Sequence, residues 1–137
     1  MTPAEQHLFL ETPPDRIFLD TSFVVATLVA GDPRHKECLS FAEGLQSAGT
    51  VVVYSTMLRL ADDLLHRFLA QFRRAEIRLS QRVVSLAIEL VGRFDLQSYD
   101  AVQVASTLDA GCADMASLDG DFRRVDGIHL WNNRQRR

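Results

Sequence analysis

The run RIFL, residues 16–19, places three apolar side chains in succession with no polar alternation, and an acid follows it at once. The same kind of run recurs in TVVVY (50–54), ADMASL (113–118) and IHLW (128–131). Strands that are apolar on both sides of the pleat are buried on both faces, which is the habit of a parallel sheet covered by helices. Between these runs the period changes to that of a helix. SFVVATLVA (22–30) forms a short helix ending near Gly31. The next opens with Asp32 as its cap and Pro33 at its first position, where proline's missing N–H costs nothing. Ser55 or Thr56 then caps a long helix with Leu58, Ala61, Leu65, Phe68 and Phe72 near one face. Ser80 starts another, which runs through Val91 and ends at Gly92, and Ser98 starts SYDAVQVASTLDAG, stopped by Gly111.

This alternation predicts an α/β chain in three layers, α/β/α, with a central parallel sheet and helices on both faces. Residues 1–15, with Pro13 and Pro14 just before the first strand, read as a loosely held N-terminal extension. Residues 16–131 form the domain, and 132–137 a basic tail. No repeat or low-complexity tract interrupts it.

Composition narrows the class. With 47% apolar and 24% charged residues the chain has the balance of a globular protein. No apolar run approaches the ~20 residues needed to span a bilayer, so no membrane association is expected. The first residues carry acids and prolines in place of the basic flank and apolar centre of a secretory signal. Cys38 and Cys112 are isolated thiols in apolar surroundings, the usage of a reduced, cytoplasmic protein. With no CxxC, a structural zinc site is not expected.

The net charge of −3 at first argues against a nucleic-acid partner. Fourteen of the fifteen basic residues are arginine, however, and six of these lie between Arg59 and Arg82 against only three acids. Arginine is the side chain best suited to phosphate. A few acids neutralised by bound metal would bring the formal charge past zero. Charge leaves nucleic acid open without demanding it.

The candidate chemistry lies in the acids. Asp20 follows RIFL and Asp119 follows MASL, each the first residue past an apolar strand, and Asp121 adds a third acid at that edge. Asp100 falls in the first turn of the helix begun by Ser98. Each acid alone has an ordinary role as a helix cap or first-turn anion. Together they lie where parallel sheets bind ligands, beyond the carboxyl ends of the strands. Carboxylates gathered there would repel one another unless a cation lay between them.

FLDTS, an acid in the helix after the second strand, SYDAVQVAST and SLDGDF, taken in that order, resemble a PIN domain. The sequence is most similar to the VapC-type ribonuclease toxins of bacterial toxin–antitoxin pairs. The resemblance makes Asp20 the first family acid, Asp100 the third and Asp119 the fourth, with Asp121 a frequent accessory. Thr21 and Ser22 match the hydroxyls that orient the first acid, and Ser117 stands where the family usually has threonine. The second acid departs from the pattern, because RLADDLLHRF contains no glutamate. Asp63, followed by two leucines, fits that register better than Asp62.

The resemblance thus implies a catalytic set of Asp20, Asp63, Asp100 and Asp119, with metal held by Asp20, Asp100, Asp119 and Asp121. An all-oxygen donor set suits Mg²⁺ or Mn²⁺, one ion or two. It further implies hydrolysis of RNA to 5′-phosphate and 3′-hydroxyl ends, a cognate antitoxin and a homodimer. Arg123 and Arg124 are weak candidates for contacting the RNA backbone, and His35 reads as structural. A haloacid-dehalogenase phosphatase needs an aspartate where Ser22 stands, and a receiver domain needs a late lysine, whereas Lys36 is the only lysine. Two alternatives stay open: a catalytically weak PIN-fold module that binds RNA or a partner, and a housekeeping RNA-processing nuclease.

Overall fold

The computed structural model describes residues 6–55 and 63–132. Its strands are β1 (Gln6–His7), β2 (Arg16–Leu19), β3 (Val51–Ser55), β4 (Arg73–Ile77), β5 (Asp114–Ala116) and β6 (His129–Trp131). Every pairing among them is parallel, in the order β1-β6-β5-β2-β3-β4. From β2 in the middle the chain steps outward through β3 to β4. It then crosses back to β5 on the other flank of β2. The order therefore reverses between β2 and β5, where Phe18 lies beside Met115 and Leu19 beside Ala116.

Five helices cover the sheet: α1 (Thr21–Leu28), α2 (His35–Ala48), α3 (Asp63–Leu69), α4 (Gln81–Phe94) and α5 (Ser98–Asp109). The two-residue period of β2 distributes its side chains between two cores. Ile17 and Leu19 pack with Phe23, Phe41, Leu45 and Phe68 of α1, α2 and α3. Phe18, on the opposite face, packs with Val83, Leu90, Val104 and Leu130, which brings in α4 and α5. All three β2 residues are at most 1% exposed. The unbroken apolar pattern of RIFL thus has its cause: the strand is buried from above and below, and the three-layer α/β/α architecture follows. Both cysteines lie in this interior, where burial pushes the Cys38 thiol up to about 12 and raises that of Cys112. Among the described residues no helix is long and apolar enough to cross a membrane.

Several elements differ from the sequence reading. The long helix expected through Phe72 ends at Leu69, and β4 follows. Phe72 still meets Phe68, ring centroids 5.0 Å apart, but from the turn after the helix. Ser55 closes β3, while Thr56, Leu58 and Ala61 lie outside the described residues. The α2 helix starts at His35, not at Pro33; the Asp32 carboxylate accepts the Arg34 N–H at 2.8 Å and forms a turn ahead of the helix. In α4 the helix passes through Gly92 to Phe94 and stops at Asp95, in the left-handed region with φ of 54°. Residues 6–9 are not loose: β1 pairs with β6, and Phe9 is buried on Phe41 with centroids 4.6 Å apart.

Candidate metal centre

The site grows from the reversal in strand order. Two adjacent parallel strands, β2 and β5, diverge into separate connections at their carboxyl ends, and the gap between them is the crevice such sheets present to ligands. Asp20 is the first residue past β2, tied to β5 by its own N–H, which donates to the Ala116 carbonyl at 3.0 Å. Its side chain is also the N-cap of α1, accepting the Ser22 N–H at 3.4 Å. The capping role and the site role therefore coincide in one carboxylate.

Asp20 is 5% exposed and surrounded by donors. Its Oδ2 accepts the hydroxyls of Ser22 at 2.7 Å and Ser117 at 2.8 Å. Each hydroxyl is oriented in turn by an N–H from the turn after β5. Leu118 N donates to Ser22 Oγ and Asp119 N to Ser117 Oγ, both at 3.0 Å. A hydroxyl that accepts a backbone N–H directs its own proton elsewhere, and here both protons go to Asp20. The other oxygen, Oδ1, accepts the amide of Gln103 at 3.0 Å. The Thr21 hydroxyl instead meets Tyr99 Oη at 2.9 Å, joining α1 to α5.

Asp119 caps the short 3₁₀ turn Gly120–Arg124, its Oδ1 accepting the Asp121 N–H at 2.9 Å. Asp121 opens outward on that turn, and Asp100 lies in the first turn of α5. Carboxylate oxygens of Asp100, Asp119 and Asp121 all lie within 4.8 Å of one another. Asp20 is outside that trio but acts on it: Asp100 is raised above the usual aspartate range by burial first, then by the charges of Asp119, Asp20 and Asp121. Arg124 alone opposes that shift.

The remaining candidates fall into place as follows. Arg124 places a guanidinium nitrogen 3.9 Å from Asp121 Oδ2, and Arg123 donates to the Gly120 carbonyl at 3.0 Å; both are exposed on the acidic turn. His35 donates from Nδ1 to the Ala26 carbonyl at 2.9 Å and so ties α2 to α1, away from the acids. Asp63 opens α3, but its side chain, like the whole of Asp62, lies outside the described residues. Sequence reasoning passed over Gln103. Its signal was present: it stands three residues after Asp100, one helical turn on the same side of α5.

Comparison with known proteins agrees with this geometry. A family model for the PIN domain matches residues 17–128. No curated protein matches the sequence. Among solved structures, Mycobacterium tuberculosis VapC20, a sarcin–ricin loop cleaving toxin, is 26% identical, covering 77% of this chain and 92% of its own at a TM-score of 0.58. VapBC2 from Rickettsia felis, bound to a DNA fragment from its promoter, shares the fold at 14% identity and a TM-score of 0.64, over 85% of this chain and 98% of that one. FitAcB from Neisseria gonorrhoeae does so at 16% and 0.62, over 85% and 97%. With the matched region running from β2 to the residue before β6 and enclosing the whole acidic edge, the chain belongs to the PIN domain family, in its VapC-like form.

Proposed function

We propose that this protein is a divalent-metal-dependent endoribonuclease, the toxin of a type II toxin–antitoxin pair acting in the cytoplasm. The observation that carries the reading is the convergence of Asp100, Asp119 and Asp121 within 4.8 Å at the strand-order reversal, with Asp20 buried beside them. The donor set fits a hard cation. It is all carboxylate oxygen, with no histidine or cysteine in the cluster, and Asp100 is raised by burial and then by the charges of its neighbouring acids.

Asp100, Asp119 and Asp121 would hold Mg²⁺ or Mn²⁺, with Asp20 completing the centre. An ion held there supplies a Lewis acid that polarises a phosphodiester and lowers the pKa of water. The protein's own groups prepare that centre. Ser22 and Ser117 spend their hydroxyl protons on Asp20, which holds it in one rotamer as an anion acceptor. Asp119 caps the turn that carries Asp121, accepting the Asp121 N–H. Arg123 and Arg124, exposed on the same turn, offer positive charge where an RNA backbone would approach. The sarcin–ricin loop activity of VapC20 and the two-protein VapBC2 assembly support an RNA substrate and an antitoxin partner.

The test is cleavage of a mixed RNA substrate in Mg²⁺, in Mn²⁺ and in EDTA. Wild type should cleave with either ion, stop in EDTA, and lose at least about 100-fold in rate in Asp20→Asn and Asp100→Asn. Asp63→Asn should be damaging and Asp62→Asn nearly silent; the reverse would move the second acid by one residue. No cleavage by folded wild-type protein, with either ion and with ribosomal RNA included, would overturn the enzyme reading in favour of a binding module.

A further inference from the structure

Gln103 is 2% exposed in the middle of α5, a place where an amide is costly unless both its ends are bonded. Among the described residues only one end has a partner. The Nε2 donates to Asp20 Oδ1 at 3.0 Å, while Oε1 is buried with no hydrogen-bond partner. A glutamine retained merely for packing would be served as well by methionine, which fills the same length without an orphaned carbonyl. The amide is therefore held for what it does to Asp20. Asp100, the acid nearest in sequence, lies on the same helix one turn earlier. One helix thus supplies an acid to the centre and the donor that fixes another acid belonging to β2.

We propose that Gln103 is the positioning residue of the metal centre. Its N–H holds Asp20 Oδ1 so that the carboxylate, pinned at Oδ2 by two hydroxyls, keeps one orientation toward Asp100 and Asp119. The proposal rests on the metal-centre reading above and adds to it a residue that touches no metal and acts through Asp20.

Mn²⁺ titration followed by electron paramagnetic resonance tests it, with no RNA and no turnover. Gln103→Met should still fold and melt cooperatively in EDTA, because the loss of the donor to Asp20 Oδ1 is set against the removal of an unpaired buried carbonyl. Its Mn²⁺ affinity should fall by about 10- to 100-fold, the usual effect of removing a group that orients a ligand. In an Asp20→Ala background the same substitution should cause no further loss, since the group it acts through is gone. If Gln103→Met does not fold, Gln103→Leu takes its place in both backgrounds. Equal Mn²⁺ affinity in wild type and the folded variant overturns the inference alone. A full loss that persists in Asp20→Ala also overturns it, for Gln103 would then act elsewhere. Wild type that takes up no Mn²⁺ overturns this inference and the metal-centre reading together.

Discussion

Asp100 carries the electrostatic cost of the site. Its carboxyl is raised by burial and by three neighbouring acids, so the folded protein binds its proton more tightly than the unfolded chain does. A group of this kind contributes stability that is complete below its unfolded pKa and lost as pH rises through its folded value. In EDTA the melting temperature should therefore fall as pH climbs out of the usual aspartate range. Asp100→Asn should flatten that fall and melt higher than wild type at neutral pH, and Mg²⁺ should narrow the difference by stabilising wild type more. Differential scanning calorimetry from pH 4 to 8 checks it; a variant that melts lower than wild type at pH 7 in EDTA would remove repulsion as the cause. At this scale the sequence was most legible. Asp20 and Asp119 declare themselves by following apolar strands, and in the structure carboxylate oxygens of Asp100, Asp119 and Asp121 lie within 4.8 Å of one another. Gln103 was harder to read: its spacing from Asp100 marks a shared side of α5, but its partner lies 83 positions away.

Among the elements, α4 shows how termini set stability. Ser80 caps it, with its hydroxyl accepting the Val83 N–H at 3.2 Å, and Ser80→Ala should cost about 1 kcal/mol. At the other end Asp95 holds a φ of 54°, which suits glycine better than a residue with a Cβ. Asp95→Gly should stabilise by up to about 1 kcal/mol. Urea unfolding of the two variants should move the midpoint in opposite directions, and a downward shift for both would mean the Asp95 side chain matters more than its backbone. The same scale explains the missed strand. RRAEI in β4 carries three charges in five residues and pairs on one side only, with β3. Edge strands are often charged, which discourages pairing with other chains, and that hides the two-residue pattern by which buried strands are recognised. Phe72 compounded the error, since it meets Phe68 at helical spacing without being helical.

For the whole molecule, the two cores and the parallel order were legible because strands buried on both faces must read as unbroken apolar runs. The N-terminal segment was not. Its strand is two residues long and its prolines resemble a linker, yet β1 closes one edge of the sheet and His7 stacks on Trp131 at 4.9 Å. Phe9 is buried against Phe23 and Phe41. Phe9→Ala should therefore cost about 3 kcal/mol, as for other core phenylalanines; an unchanged denaturation midpoint would return these residues to the status of an extension.

The placing of β5 next to β2 also sets when the acidic edge can form. Asp20 leaves the ribosome early, but its partner Ser117 lies 97 positions further along the chain, with Asp119 and Asp121 just beyond it. At about 5–20 residues per second, several seconds of translation separate the first acid from the others. Throughout that interval the nascent chain has no assembled acidic edge, and β2 waits with one flank unpaired. The order of strands is thus also a delay.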